Sequence, residues 1–184
     1  MEKTGKVLWF TGLSGAGKTT LARPILAQLE SKNILTFLLD GDEMRQSINK
    51  DLGYTEADRK ENVRRSAEIA KLMRNKGAVV LCAFMSPTRE MREMAKNIIG
   101  ENNFYEIFVD ANIEICQKRD TKGLYKKYEK GEIHDISGLD APFEPPIAPF
   151  LTIDTHKYTI EECVERILSD SFTQIFADES RFRR

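Results

Sequence analysis

The sequence predicts an α/β fold in which a parallel five-stranded sheet is covered by helices on both faces. Short apolar runs alternate with longer segments of helical periodicity, as expected when each strand is joined to the next parallel strand through a helix. The runs are apolar throughout, which is typical of strands buried on both faces. A length of 184 residues suits one well-packed domain, and we assign residues 1–184 to a single domain.

The predicted strands are the continuously apolar runs, in order Val7–Thr11, Ile34–Leu39, Ala78–Phe84, Phe104–Asp110 and Phe150–Ile153. The predicted helices are the longer periodic segments, in order Lys18–Ser31, Gly41–Ile48, Glu56–Lys76, Thr88–Ile98, Ile113–Arg119 and Ile160–Asp170. The longest helix carries one apolar stripe, formed by Val63, Ala67, Ala70 and Met73. Residues 122–149 are rich in Lys, Gly and Pro and weak in periodicity. Because such a segment in a compact domain is usually functional, we predict a lid over about residues 119–149.

Composition and charge narrow the class of protein. The 28 basic and 29 acidic residues nearly cancel, so we expect neither a nucleic-acid nor a membrane partner. Cys82, Cys116 and Cys163 are far apart and odd in number, which indicates buried thiols of a reducing compartment rather than a disulfide framework or a metal site. The apolar runs are too short for a signal peptide or a membrane span. We therefore expect a cytoplasmic protein.

A phosphate-binding motif follows the first predicted strand. The sequence GLSGAGKT fits G-x-x-x-x-G-K-[ST] without a mismatch, with a predicted strand before it and a predicted helix after it. Its glycines let successive backbone N–H groups converge on phosphate oxygens, so the motif predicts a P-loop. In that loop Lys18 would reach the β and γ phosphates of a nucleoside triphosphate, and the Thr19 hydroxyl would hold Mg²⁺. The predicted nucleotide-binding residues of the loop are Gly12, Leu13, Ser14, Gly15, Ala16, Gly17, Lys18, Thr19 and Thr20.

Two carboxylates lie at the end of the second predicted strand, in the sequence LLDGD, where open α/β sheets place their ligands. Either acid could orient an attacking hydroxyl or bind the metal through water. Alternatively, Asp40 caps the next helix and Asp42 pairs with Arg45 on the surface. A GTPase would supply D-x-x-G and N-K-x-D signatures, but basic residues follow Asp58 and Asp120. We therefore favour a kinase that phosphorylates an acceptor.

Longer strings of the sequence resemble, in family order, the motifs of adenylyl-sulfate (APS) kinases. These strings are GLSGAGKTT, DGDEMR, DLGYTEADRKENVRR with AEIAKLM, MSPTRE, RDTKGLYKKYEKGEI and SGLDAPFEPP, and they extend from about Val7 to Pro146. The family phosphorylates the ribose 3′-hydroxyl of APS to give 3′-phosphoadenylyl sulfate. The resemblance implies ATP as co-substrate, Mg²⁺, a nucleotide acceptor with APS favoured, and a homodimer.

The resemblance also implies roles for single residues. Asp42 falls where the family has a carboxylate near the acceptor hydroxyl and the magnesium ion, which it would bind directly or through water, so with Lys18 it is a candidate catalytic residue. Arg119 would lie against the ATP base. The implied acceptor-binding residues are Asp42, Arg45, Tyr54, Arg59, Asn62, Met85, Ser86, Lys122 and Ile136. Among them, Arg45, Arg59 and Asn62 would hold the phosphosulfate end, and Tyr54 would stack on the acceptor base.

Ser86 falls on a serine position that is sometimes regarded as a phosphorylated intermediate in this family. A catalytic role for Ser86 is therefore one alternative. Direct transfer between two bound substrates needs no covalent enzyme, however, so we assign Ser86 to the binding site.

Three positions depart from the family pattern, and all lie near the acceptor. The chain reads Asp135-Ile136-Ser137-Gly138 where E-F-T-G is common, and Ser86-Pro87-Thr88-Arg89 where S-P-Y-R is usual; Met91 replaces an acidic residue. Ile136 stands where the family has the second aromatic residue of the base site, so two acceptor bases, adenine and cytosine, are compatible with the sequence. A related acceptor, cytidine diphosphoramidate in capsule modification, is the alternative substrate.

A different class of function is a regulatory module that binds ATP but has lost catalysis. Such a module would show erosion at Lys18, Thr19, Asp42 or Arg59, and all four residues are retained.

Overall fold

The computed structural model describes residues 5–175, and side chains as far as residue 171. Its strands are β1 (Val7–Thr11), β2 (Thr36–Asp40), β3 (Val79–Ala83), β4 (Phe104–Asp110) and β5 (Leu151–Asp154). Its helices are α1 (Lys18–Ser31), α2 (Gly41–Gln46), α3 (Glu56–Arg74), α4 (Arg89–Ile99), α5 (Ile113–Arg119), α6 (Leu124–Glu129) and α7 (Ile160–Ile175), with a single 3₁₀ turn at Glu101–Asn103 among the described residues.

The five strands form one parallel sheet in the order β2-β3-β1-β4-β5, so the predicted fold class is confirmed. Successive β1 side chains enter opposite cores because side chains alternate across a strand. Leu8 and Phe10 pack in the core that α1 and α7 cover. Val7 and Trp9 pack in the core that α3 and α4 cover. The middle strand therefore has both faces buried.

Several element boundaries differ from the sequence-based ones. β2 begins at Thr36 instead of Ile34, because the preceding Asn33 adopts a left-handed conformation and Leu35 is exposed. The strand then extends through Asp40. Helix α4 begins at Arg89, since Thr88 is its N-cap and accepts a hydrogen bond from the Met91 N–H.

The segment predicted as a lid contains a helix that was not among the predicted helices. Helix α6 lies within it, because the Asp120 carboxylate accepts the N–H groups of Tyr125 and Lys126 at 3.2 and 3.1 Å. The buried Tyr125 side chain donates its hydroxyl to the Ser14 carbonyl at 2.9 Å. Further along, the Asp140 carboxylate accepts the N–H groups of Asp135 and Ile136. Local caps therefore order a lysine-rich segment.

Two sequence-based predictions concern membrane-spanning segments and the state of the cysteines. Among the residues that the structure describes, no helix is long and apolar enough to cross a membrane. Cys82, Cys116 and Cys163 are buried as free thiols.

Candidate active site

A cavity of about 840 Å³ opens at the carboxyl edge of the sheet, between the loops that follow the strands and the lid. It contains nearly all the residues that the sequence singles out. The predicted site residues on its walls are Ser14, Gly15, Ala16, Gly17, Lys18, Thr19, Thr20, Asp42, Arg45, Tyr54, Arg59, Asn62, Met85, Ser86, Arg119, Lys122 and Ile136. The remaining two residues of the loop, Gly12 and Leu13, do not line the cavity, and Leu13 packs against the core. The cavity therefore joins the nucleotide half and the acceptor half of the predicted site.

Close backbone packing determines the shape of the P-loop. Gly12 has φ +148°, and a β carbon there would lie 2.4 Å from the Val109 carbonyl oxygen of β4. Gly15 has φ +78°, and a β carbon there would lie 3.0 Å from the Cys116 carbonyl oxygen of α5. Both positions therefore require glycine, for conformation and for space.

Lys18 lies half-buried inside this loop. Its Nζ donates to the Gly12 and Leu13 carbonyls at 2.8 and 2.7 Å. Desolvation and, to a smaller extent, the nearby positive charge of Lys122 together lower the pKa of Lys18 to about 8. A bound triphosphate would supply the negative charge that the free site lacks.

Thr19 and Asp40 form the link between the P-loop and β2. The Thr19 hydroxyl donates to Asp40 Oδ2 at 2.5 Å. The other carboxylate oxygen of Asp40 accepts the N–H groups of Asp42 and Glu43, so Asp40 caps α2, as one of the two alternatives for this residue predicted. Hydroxyl and carboxylate oxygens are the ligands that Mg²⁺ prefers, so the donor set around Thr19 fits this ion.

Asp42 and Arg45 do not pair with each other. The Asp42 carboxylate forms an ion pair with Lys122 of the lid instead. The Arg45 guanidinium lies over the Tyr54 ring, 4.9 Å from its centroid, and its buried Nη1 has no hydrogen-bond partner within residues 5–175. The surface pairing of Asp42 with Arg45 is therefore wrong, since the two side chains contact the lid and Tyr54, respectively.

Arg59 ties the start of α3 to the lid. Its Nε donates to the Tyr54 carbonyl at 2.7 Å, and its amino nitrogens donate to Ser137 Oγ at 2.7 Å and to the Asp135 carbonyl. Met85 lies beside the same guanidinium, with its sulfur 3.9 Å from Nη1. Arg59 thus spans the acceptor half of the cavity and fixes the lid segment that crosses it.

Arg119 closes the opposite, nucleotide end. Its Nη1 donates to the Gly15 and Ala16 carbonyls, both at 3.2 Å, and its two amino groups reach Thr155 Oγ1 at 3.0 Å and the Thr155 carbonyl at 2.7 Å. The Thr155 hydroxyl in turn donates to the Ala16 carbonyl at 2.9 Å. Thr155 was not among the predicted site residues, although its place directly after the fifth strand was a usable signal.

Ser86 is part of a buried hydrogen-bond chain. Its side chain accepts from the Trp9 indole N–H at 3.1 Å and donates to Thr11 Oγ1 at 3.1 Å, and the Thr11 hydroxyl donates to the Met85 carbonyl at 2.7 Å. Ser86 is 2% exposed and has φ +39°, an unusual conformation for a residue other than glycine. The hydroxyl is therefore engaged in holding the loop after β3 against β1.

Arg92 is a buried residue of the site's support that the sequence did not reveal. Its Nε pairs with Glu106 at 2.7 Å, and its amino groups donate to the carbonyls of Ser86 and Glu144 at 2.7 and 2.6 Å. It therefore joins α4, β4, the Ser86 loop and the end of the lid. Its only sequence signal was an arginine on a helix face that is otherwise apolar.

The three departures from the family pattern have structural explanations. Thr88 is the N-cap of α4, and Met91 is buried in the core between α4 and the sheet. Ile136 is 9% exposed and packs mainly in the other core, so only its edge reaches the cavity, whereas Tyr54 is 63% exposed. The structure thus brings both residues to one cavity.

The fold and the P-loop define the class, which is a P-loop kinase. The family model described as adenylylsulphate kinase matches residues 4–154, and the chain belongs to this family.

Sequence relatives and solved structures agree with this assignment. The chain is 49% identical to an adenylyl-sulfate kinase of Bacteroides thetaiotaomicron, over 88% of this chain and 81% of the relative. It is 48% identical to an adenylyl-sulfate kinase of Prochlorococcus marinus, over 89% and 81% of the two chains. Among solved structures, the APS kinase of Mycobacterium tuberculosis in complex with AMPPNP and APS is similar, with 38% identity, a TM-score of 0.87, and coverage of 91% of this chain and 97% of that chain.

We expect Ser86→Ala to weaken the fold more than the chemistry. The substitution leaves the Trp9 N–H without its acceptor, so the free energy of unfolding should fall by about 1–3 kcal/mol. If transfer is direct, kcat should stay within about tenfold of the wild type. Urea unfolding and steady-state kinetics check both effects. A phosphoserine at position 86 that forms and decays at the rate of turnover would contradict this expectation.

We expect the affinity for ATP to fall as the pH rises above about 8. In the free protein Lys18 has a lowered pKa of about 8, and the triphosphate should raise it, so binding above that pH must take up a proton. The dissociation constant of a non-hydrolysable ATP analogue should then rise by up to about tenfold per pH unit.

Calorimetry in buffers of different ionisation enthalpy measures both the dissociation constant and the proton uptake. Lys18→Arg is the matched control, because its charge does not titrate in this range. A wild-type affinity that is constant between about pH 7.5 and 9.5 would refute the role given to the Lys18 pKa.

Proposed function

We propose that this protein transfers the γ phosphate of ATP to the ribose 3′-hydroxyl of adenylyl sulfate, giving 3′-phosphoadenylyl sulfate and ADP. The observation that carries this proposal is the continuous cavity. The P-loop residues Lys18 and Thr19 lie in one half, and the hydrogen-bond donors Arg45, Arg59 and Asn62 lie in the other. Family membership and the solved relative described with AMPPNP and APS support the same pair of substrates.

The acceptor half is suited to an anionic group. Arg45 and Arg59 carry positive charge, and the Arg45 Nη1 is buried without a hydrogen-bond partner in the described part of the chain. A buried donor without a partner costs free energy, which a phosphate or sulfate oxygen would recover on binding. The phosphosulfate end of adenylyl sulfate supplies such oxygens.

The reaction needs the acceptor hydroxyl to be oriented toward the γ phosphate. Asp42 would accept the hydroxyl proton or hold the hydroxyl in line. In the free protein Lys122 pairs with Asp42, so the arriving phosphates would draw the Lys122 ammonium toward themselves and release the carboxylate. Lys18 would neutralise charge that develops on the transferred group.

Magnesium is expected with ATP, and the residues near the P-loop fit it. Thr19 and Asp42 would hold the ion, directly or through water, with the Asp40 carboxylate beside the Thr19 hydroxyl. When bound, the ion supplies charge neutralisation to the β and γ phosphates.

The lid would keep water from the transferred phosphate. Tyr125 and Arg119 anchor it to the P-loop, through the Ser14 carbonyl and through the Gly15 and Ala16 carbonyls. Arg59 anchors it to α3 through Ser137. Exclusion of water favours transfer over hydrolysis of ATP.

The working form of the protein was also predicted from the resemblance, and we infer a homodimer. A relative described as a hexameric APS kinase from Thiobacillus denitrificans supports self-association in the family, with 32% identity over 92% of this chain and 29% of that longer chain.

We also propose the cytoplasm as the compartment of this protein, because a reducing environment suits three buried free thiols.

We expect ADP release that depends on adenylyl sulfate and exceeds the release supported by cytidine diphosphoramidate. The physical reason is the set of donors in the acceptor half, which matches a sulfate that offers only acceptor oxygens. A coupled assay with the two acceptors side by side checks this preference. Turnover with neither acceptor, while ATP still binds, would refute the kinase assignment and favour a regulatory ATP-binding module.

We expect Asp42→Asn to lower kcat by about 10²–10⁴-fold, because the amide cannot accept the hydroxyl proton. The KM for ATP should change less than kcat, since the P-loop and Thr19 remain intact and the amide oxygen of the new asparagine can still contact the magnesium ion or its water. Asp51→Asn is the matched control, because Asp51 pairs with Arg65 outside the cavity. Steady-state kinetics of both variants decide the point, and near-normal turnover by Asp42→Asn would exclude the proposed role for Asp42.

A further inference from the structure

Two buried asparagines meet behind the acceptor half of the cavity. Asn49 follows α2 and is 0% exposed, and Asn62 on α3 is 3% exposed. The Asn49 Nδ2 donates to Asn62 Oδ1 at 2.8 Å. The Asn49 backbone is itself held by a hydrogen bond from its N–H to the Met44 carbonyl at 2.8 Å. Asn49 does not line the cavity, whereas Asn62 does.

The hydrogen bond fixes which end of each amide faces which way. In the observed arrangement the buried Asn49 Oδ1 has no partner within the described residues. If both amides were rotated by 180°, the Asn49 NH₂ group, with its two donors, would take the place of the unpaired Asn49 Oδ1. An unpaired buried N–H is rarer and more costly than an unpaired carbonyl oxygen, so the observed orientation is the more stable one.

This orientation decides what Asn62 can offer to a ligand. Its oxygen is occupied by Asn49, and its Nδ2 has no acceptor within the described part of the protein. The free polar group that Asn62 adds to the cavity is therefore a donor, beside the guanidinium groups of Arg45 and Arg59.

We propose that Asn49 is a positioning residue for acceptor specificity, which holds Asn62 with its NH₂ group toward the cavity. The inference rests on the proposed function and extends it. A terminal sulfate presents only acceptor oxygens to these donors. A terminal phosphoramidate also presents an N–H donor, which would face other donors without a partner. Such a mismatch discriminates against the second ligand.

Two variants test this role: Asn49→Asp keeps the shape of the side chain, and Asn49→Leu removes its polar groups with a somewhat larger side chain. In Asn49→Leu the Asn62 amide is no longer held, and the KM for adenylyl sulfate should rise by about tenfold with the KM for ATP unchanged. In Asn49→Asp a protonated carboxyl can still donate to Asn62 Oδ1, but an ionised carboxylate requires the Asn62 amide to turn. The KM of Asn49→Asp for adenylyl sulfate, divided by the KM of the wild type, should therefore increase with pH.

A matched control separates positioning from general stability. The Ser66 hydroxyl is buried and donates to the Asn62 backbone carbonyl at 2.7 Å, without contacting the Asn62 amide. Ser66→Ala should lower the free energy of unfolding and leave the KM for adenylyl sulfate within about twofold of the wild type. Urea unfolding of all variants shows that each is folded under the assay conditions.

A double-mutant cycle shows whether Asn49 acts through Asn62. In an Asn62→Leu background, Asn49→Leu should raise the KM for adenylyl sulfate no further. A full additional loss in that background would overturn the inference, as would an unchanged KM in Asn49→Leu or a pH-independent ratio in Asn49→Asp. If one Asn49 variant does not fold, the other still decides.

The same measurements distinguish failure of this inference from failure of the proposed function. Wild-type turnover of adenylyl sulfate with no effect of Asn49 refutes the positioning role alone. Wild-type preference for cytidine diphosphoramidate refutes the proposed acceptor and also refutes the selection of sulfate by donor polarity.

Discussion

The parallel register that seats β1 between β3 and β4 is the constraint on which the site depends. It brings the end of β1, where the P-loop begins, beside the end of β3, where the Ser86 loop begins. Hydrogen bonds from Trp9 and Thr11 then join the two loops. A shift of one residue would turn every β1 side chain to the opposite core, so the burial of Trp9 and Phe10 also fixes the position of the P-loop.

The charged groups of the site are arranged for ligands rather than for stability of the free protein. Lys18 is half-buried with a lowered pKa, and the Arg45 Nη1 is buried without a partner in the described residues. Both arrangements cost free energy until an anion enters. The Asp42–Lys122 pair, by contrast, is satisfied in the free protein and must separate for the proposed reaction. Binding of phosphates would thus offset the desolvation of Lys18 and the missing hydrogen bond of Arg45, and would separate the Asp42–Lys122 ion pair.

The sequence predicted what short-range patterns determine. The P-loop and the apolar strands could be identified because each depends on neighbouring residues. The order of the strands in the sheet was not predicted, because it depends on contacts between distant segments. Helix α6 was missed because its stability depends on Asp120 and on Tyr125 reaching the P-loop, and neither contact has a periodic signal. The link from Asn49 to Asn62 was missed for a similar reason, since side-chain pairing between a loop and a helix has no fixed spacing.

The side chains of the acceptor half indicate how the binding free energy of an acceptor would divide between its base and its anionic end. Ile136 contributes mainly to the core, so Tyr54 is the principal exposed ring available to an acceptor base, and stacking on one ring is worth about 1–3 kcal/mol. Three donors converge at the other end, and each hydrogen bond to a charged group contributes about 1.5–3 kcal/mol. If the proposed acceptor binds in this way, its anionic end would carry the larger share of its binding free energy. On the proposed function, an isoleucine in place of an aromatic base contact would be tolerable, because selectivity would rest on the group attached to the nucleotide's phosphate more than on the base.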